Sequence, residues 1–432
     1  MLIGLLLACS PSHTLTEESL WDPGSCASCH PTQHAQWSGS MHAYAGIDPV
    51  FLAMDARGQR ETDGALGDFC VSCHAPGAVA FAGVTEAADL ANAPEHLQGV
   101  GCASCHLVDK VLDDHNNALQ YASDNVIRGP ISDPQDNPAH ASAYSGLHDR
   151  DAVSSSSTCG SCHDLVLDNG LHLERTFAEW DESLFNTEDA GRLSCGHCHM
   201  AGSQGQAAVD GPDRTIHDHS MAGVDIALGD FPSRSSQRAK VQESLDDTVI
   251  TELCVLPITA GSEITVRLEN VGAGHRWPSG AAHDRRAWVR VVAYAGDDTI
   301  FSTGDIPDGA SLHSVSDPDR WELHSIARGA DGEEVQMFWD TVSLEERTLP
   351  VTTTLDPLDP DFNHTVLRRW PLPGQVPDRV EVEVLIRPIG LDILESLVDS
   401  GDLDAGYLDE MPTFSLAGAA VTWDGKLGSC VP

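Results

Sequence analysis

Two textures divide the chain. From about residue 248 onward, apolar and polar residues alternate. Ile264, Val266 and Leu268 are interleaved with Glu263, Thr265, Arg267 and Glu269. Val380, Val382, Val384 and Ile386 are interleaved with Glu381, Glu383 and Arg387. Period two marks strands with one buried face. Further strand-like runs fall at 248–255, 287–294, 335–339 and 413–423, separated by Gly, Pro and Asp. Together they predict an all-β sandwich over residues 248–432. Residues 25–222 read differently. They are rich in Gly, Ser, Asp and Ala, with few β-branched runs. Leu173, Phe177, Trp180 and Leu184 recur at helical spacing. The prediction there is a mainly α, loop-rich domain. Residues 10–24 read as a polar tether and residues 223–247 as a linker.

The first eight residues are apolar and run into Cys9. Leu6-Leu7-Ala8-Cys9 resembles a bacterial lipobox, in which the cysteine becomes the lipid anchor. The run is too short to span a bilayer, and no basic residues precede it. The expectation is export, with residues 1–9 as a lipoprotein-type signal, or else as a plain cleaved secretory signal. The protein would then be periplasmic or sit at the outer surface, touching membrane only through its lipid.

Charge narrows the partners. The chain has 24 Lys+Arg against 66 Asp+Glu, a formal net of −42. That argues against nucleic acid and anionic membrane surfaces. It fits a basic partner or a saline environment, and equally a surface adapted for solubility.

Thirteen cysteines would be hazardous as free thiols in an exported protein. Ten fall into one repeated motif: Cys26-Ala-Ser-Cys29-His30, Cys70-Val-Ser-Cys73-His74, Cys102-Ala-Ser-Cys105-His106, Cys159-Gly-Ser-Cys162-His163 and Cys195-Gly-His-Cys198-His199. The serines at 154–157 read as a flexible approach to the fourth. On one helical turn, positions i, i+3 and i+4 share a face. Two thioethers to a haem and one imidazole to its iron need that arrangement. Zinc would require two Cys pairs per tetrahedral site and gives no role to a His after each second Cys. A disulfide framework explains no histidine at all. The motifs therefore predict five covalently bound haem c groups, with His30, His74, His106, His163 and His199 as proximal ligands. Cys254 and Cys430 remain, one in the first strand of the sandwich and one after its last. A disulfide between them would tie its ends together.

The second axial ligand decides what each haem does: a second His closes the iron, and an open site lets a small molecule react. Outside the motif positions proper, this half offers His34, His42, His96, His115, His140, His148, His172, His197, His217 and His219.

The first motif followed by Trp37, Ser40, His42 and Ala43 resembles the opening of multihaem cytochromes of the cytochrome c-554 and hydroxylamine-oxidoreductase-like group. Thr176-Phe-x-x-Trp180-x-x-Ser183 followed by the fifth motif and Met200 is similar to the approach to a later haem there. The resemblance covers roughly residues 25–222. It implies mostly bis-histidine haems stacked in close pairs. It implies that His42 ligates a haem other than its own motif's, and that His140 and His219 sit at ligand positions. His96 is a further candidate. The departures are informative. There are five motifs here, not four or eight, and no Cys-x-x-Cys-Lys motif. None of the five tyrosines sits in a context that matches a cross-linking tyrosine. In the β half, Gly272-Ala-Gly274-His275-Arg-Trp-Pro278-Ser-Gly280 looks like a turn of β domains appended to such cytochromes. His275 is either a turn histidine bonded to backbone or a distal ligand reaching a haem. The expected function is electron transfer to redox partner proteins. The alternative is an oxidoreductase acting on a small nitrogen or sulfur compound at one open haem.

Overall fold

The computed structural model describes residues 14–432. Cys9 and its apolar run lie outside the described residues. The chain divides into two compact units. One comprises residues through Leu165 together with Ala190–Gln237; the other comprises Val166–Asp189 and Arg238–Pro432.

The first unit is built of short helices and loops. Its longest helix there, Pro49–Glu61, starts where Asp48 accepts a hydrogen bond from the Val50 N–H and Pro49 presets the first turn. Phe51, Asp55 and Gly58 share its buried face at i, i+4 and i+7. The core cluster contains Trp21, Phe51, Val71, Leu90, Leu97 and Leu107, but otherwise mostly alanines and valines. Such a core supplies little apolar bulk of its own.

Several local expectations are corrected. Part of the proposed tether is packed structure: Glu17–Trp21 is helical, capped by Thr16, and buries Leu20 and Trp21. The serine run is ordered as well. It forms a 3-10 turn, Val153–Ser155, leading into helix Ser156–Gly160, with Ser155 and Ser156 buried. The proposed linker carries helix Arg234–Asp246.

Residues 166–189, expected in the haem-bearing half, pack in the second unit. Leu184 N–H donates to the Thr352 carbonyl at 2.8 Å, and Asn169 Nδ2 to the Thr341 carbonyl at 2.9 Å. The helix there is short, Thr176–Asp181; Leu173 lies in strand His172–Glu174 and Leu184 in a 3-10 turn.

Besides the antiparallel pair Ser325–Arg328 with Ser343–Glu346, the second unit contains two larger antiparallel sheets. In one, the order is Thr365–Pro373, Gly261–Asn270, Val249–Ile258, Ser429–Val431. In the other, Asp298–Thr303, Arg286–Ala295, Arg379–Arg387 and Phe414–Ser415 follow in order, with Trp321–Leu323 and Val421–Trp423 attached. The predicted alternation is realised. Ile264, Val266, Leu268, Val380, Val382, Val384 and Ile386 are all buried, each contributing about 1.5–3 kcal/mol of burial. Gly261 turns the chain at φ +119°, where a Cβ would lie 2.2 Å from the Leu372 carbonyl oxygen, so only glycine fits. The run at 335–339 is not a strand; a 3-10 turn, Phe338–Asp340, follows Met337 instead. Cys430 pairs in register with Cys254, and the two are joined by a disulfide.

Candidate haem-binding sites

Each motif forms a single helical turn. In the first, second and fourth, the His N–H donates to the carbonyl of the first Cys, at 2.8, 3.2 and 3.0 Å. The third and fifth are helices, Cys102–His106 and Cys195–His199. The turn places both sulfurs and the imidazole on one side. The motif cysteines 26, 70, 73, 102, 105, 159, 162, 195 and 198 are thiols without a disulfide.

The proximal imidazoles are oriented by backbone. Nδ1 of His30 contacts the Ala207 carbonyl at 2.6 Å, His74 that of Ala45 at 3.2 Å, His106 that of Arg128 at 2.6 Å and His199 that of Ala222 at 2.9 Å. A carbonyl only accepts, so Nδ1 must carry the proton, and Nε2 presents its lone pair. Metal-ligating histidines are held this way. His140 and His219 share the pattern, through the carbonyls of Ala141 at 3.2 Å and His217 at 2.8 Å.

Three motif imidazoles face a second imidazole. Ring centres are 6.3 Å apart for His30 and His140, 6.2 Å for His42 and His163, and 6.3 Å for His106 and His219. Two imidazoles that each sit about 2 Å from a shared metal place their ring centres roughly 6 Å apart. Direct stacking would bring them closer. The spacing therefore leaves room for one iron between each pair. Burial pushes the His42 imidazole down to about 4, helped by its neighbours His163, His74 and His199. It also pushes His106 down to about 4, and lowers His140 and His219. These rings are neutral at ordinary pH, the form that binds metal. Thiols in the right turns, neutral imidazoles and iron-sized gaps fit haem c.

The other candidates are placed differently. His96 lies half-buried in the turn Glu95–Leu97, and no motif imidazole faces it among the described residues. His148 stacks on His106 at 5.6 Å, but its Nε2 bonds to the Cys105 carbonyl at 2.8 Å. His197 caps its own helix by accepting from the Ser194 N–H. His115 is held by Asp113 and Asp114. His275 belongs to the second unit, where its Nδ1 meets the Arg276 carbonyl at 2.8 Å. Sequence reasoning missed Phe51, which stacks on His74 at 4.2 Å with planes 5° apart. A helix aromatic outside the motif carries no signal of that role.

Side-chain contacts between cysteines show which motifs adjoin. Cys26 lies beside Cys102, Cys73 beside Cys162, and Cys159 beside Cys195. The first motif thus abuts the third, and the fourth abuts both the second and the fifth. Cys105 of the third motif lies close enough to act electrostatically on Cys159 and Cys162 of the fourth.

Five Cys-x-x-Cys-His turns, three of them with their imidazole facing a second one, have the arrangement of multihaem c-type cytochromes. A family model described as "Cytochrome c554 and c-prime" matches residues 25–107. The fold is similar to that of a penta-heme cytochrome c552 from Thermochromatium tepidum. The TM-score is 0.63 at 19% identity, covering 96% of this chain and 100% of that one. No curated protein matches the sequence.

Proposed function

We propose that this chain holds five haem c groups, one at each motif, and passes electrons between redox partner proteins outside the cytoplasm. The observation that carries this is the set of facing imidazole pairs, His30 with His140, His42 with His163 and His106 with His219. When bound, haem would supply reversible one-electron iron chemistry. An iron closed by two histidines suits outer-sphere transfer. The cysteine contacts support a branched relay. The first and third sites adjoin, the third leads to the fourth, and the second and fifth both lie beside the fourth.

Export and anchoring at Cys9 complete the proposal. No helix among the described residues is long and apolar enough to cross a membrane. Replacing Cys9→Ser should move the protein from the membrane fraction to the soluble one. A net charge of −42 favours a basic redox partner. His275 is a further candidate ligand. Its Nδ1 is held by backbone as in the other ligands, and His275→Ala should then turn one haem high-spin. Five haems per chain by pyridine haemochrome assay is the expected stoichiometry. Fewer after full maturation, or zinc in their place, would count against the proposal.

One observation favours the second reading, an oxidoreductase acting on a small nitrogen or sulfur compound. The ring packed against His74 belongs to Phe51, not to another histidine. Cyanide or carbon monoxide binding to the resting protein at a high-spin iron would move that reading ahead.

A further inference from the structure

Helix Pro49–Glu61 presents two residues to the second motif, one turn apart. Phe51 stacks on the His74 imidazole. Asp55 lies close enough to the Cys70 thiol to act on it electrostatically. Asp55 is 1% exposed, so its carboxylate is sealed from solvent. Its remaining partners are donors: the Ala87 backbone N–H at 2.7 Å on Oδ2 and Gln59 Nε2 at 3.3 Å on Oδ1. Gln59 is itself fixed, donating to the Gly67 carbonyl at 2.6 Å. A carboxylate surrounded only by donors is matched as the acceptor-only ionised form. Among the described residues, no Lys or Arg is paired with it. Asp55 and Asp225 both act electrostatically on His74, and Asp55 is the one on the helix that carries the stacked phenyl.

We infer that Asp55 is a positioning residue that sets the reduction potential at the second motif, holding it low through a buried negative charge beside Cys70 and His74. A charge in a low-dielectric site acts with little screening. Negative charge stabilises the ferric over the ferrous state, because reduction removes one positive charge from the iron. Burial and second-shell groups are the levers by which protein tunes such a centre. The carboxylate survives thioether formation at Cys70, since its Ala87 and Gln59 donors do not involve the sulfur. Electrons would then meet a step at the second site relative to its neighbour at the fourth motif.

This inference rests on Cys70, Cys73 and His74 holding a haem, and the haem count separates the two. A holoprotein with four haems refutes the site itself. The test is a spectroelectrochemical titration of the full five-haem protein and of Asp55→Asn and Asp55→Glu. In Asp55→Asn one midpoint should rise by more than any of the other four, and Asp55→Glu should stay near the wild type. Five unchanged midpoints in a five-haem Asp55→Asn protein would overturn the inference. If Asp55→Asn does not mature, Asp55→Thr, also neutral, takes its place. Failure of both to load while Asp55→Glu loads and keeps wild-type midpoints would assign Asp55 to folding and equally overturn it.

Discussion

His42 and His163 face one another with ring centres 6.2 Å apart and ring planes at 74°. His42 follows the first motif in sequence, yet its partner belongs to the fourth. A ligand supplied from another motif's neighbourhood would tie two distant stretches of chain to one iron, and loading that site would then stabilise the fold of the first unit.

His42→Ala should leave the fourth iron with one protein ligand. The expected result is one haem converted from low-spin to high-spin, with carbon monoxide binding gained at about one site per chain. Optical spectra and carbon monoxide titration check this. His96→Ala, by contrast, should leave both spectra unchanged, because no motif imidazole faces His96 among the described residues.

The Cys254–Cys430 disulfide closes a loop spanning 176 residues. A simple loop-entropy picture assigns it about 5 kcal/mol. Cys254→Ala with Cys430→Ala should lower the denaturant midpoint of the second unit without changing haem content. Fluorescence-monitored unfolding of both proteins, with haem absorbance as control, measures it. An unchanged midpoint would show that sheet pairing alone fixes strand Ser429–Val431.

His324 is buried, its Nδ1 has no hydrogen-bond partner, and burial, reinforced by Arg286, pushes its imidazole down to about 3. A depressed histidine favours the neutral form in the folded state. Its contribution is fully present above the unfolded value of about 6.5 and is lost as pH falls toward 3. The second unit should therefore lose on the order of a few kcal/mol across that window. His324→Gln should flatten the slope. Thermal melts at several pH values between 7 and 3 provide the check.

The helical turns of the five motifs were legible in the sequence because each is a local feature. Five residues on one turn carry the whole thioether and proximal set, so a motif suffices. The strands at 264–268 and 380–386 were legible for a similar reason: alternation is a short-range consequence of a buried face. Ligand pairing is not local. Nothing in the chain order says that His42 meets His163 while His140 meets His30; the resemblance to known cytochromes pointed to His42, His140 and His219, and the geometry supplied their partners. Phe51 and Asp55 were invisible, since an aromatic and a carboxylate on an amphipathic helix are ordinary core and surface residues until packing shows otherwise. The placement of residues 166–189 was misjudged because two motifs flank that stretch. Its hydrogen bonds to Thr341 and Thr352 join strands and loops far along the chain.

Low-temperature electron paramagnetic resonance of the fully oxidised holoprotein tests the central claim most directly. Ring planes set the signal of a bis-imidazole iron. His30 with His140 at 28° and His106 with His219 at 22° are near parallel, and His42 with His163 at 74° is near perpendicular. The account predicts at least three low-spin ferric centres per chain, two rhombic and one strongly anisotropic with a large highest g value, and loss of the anisotropic signal alone in His42→Ala. Fewer than three low-spin centres, or an anisotropic signal that survives that substitution, would contradict it.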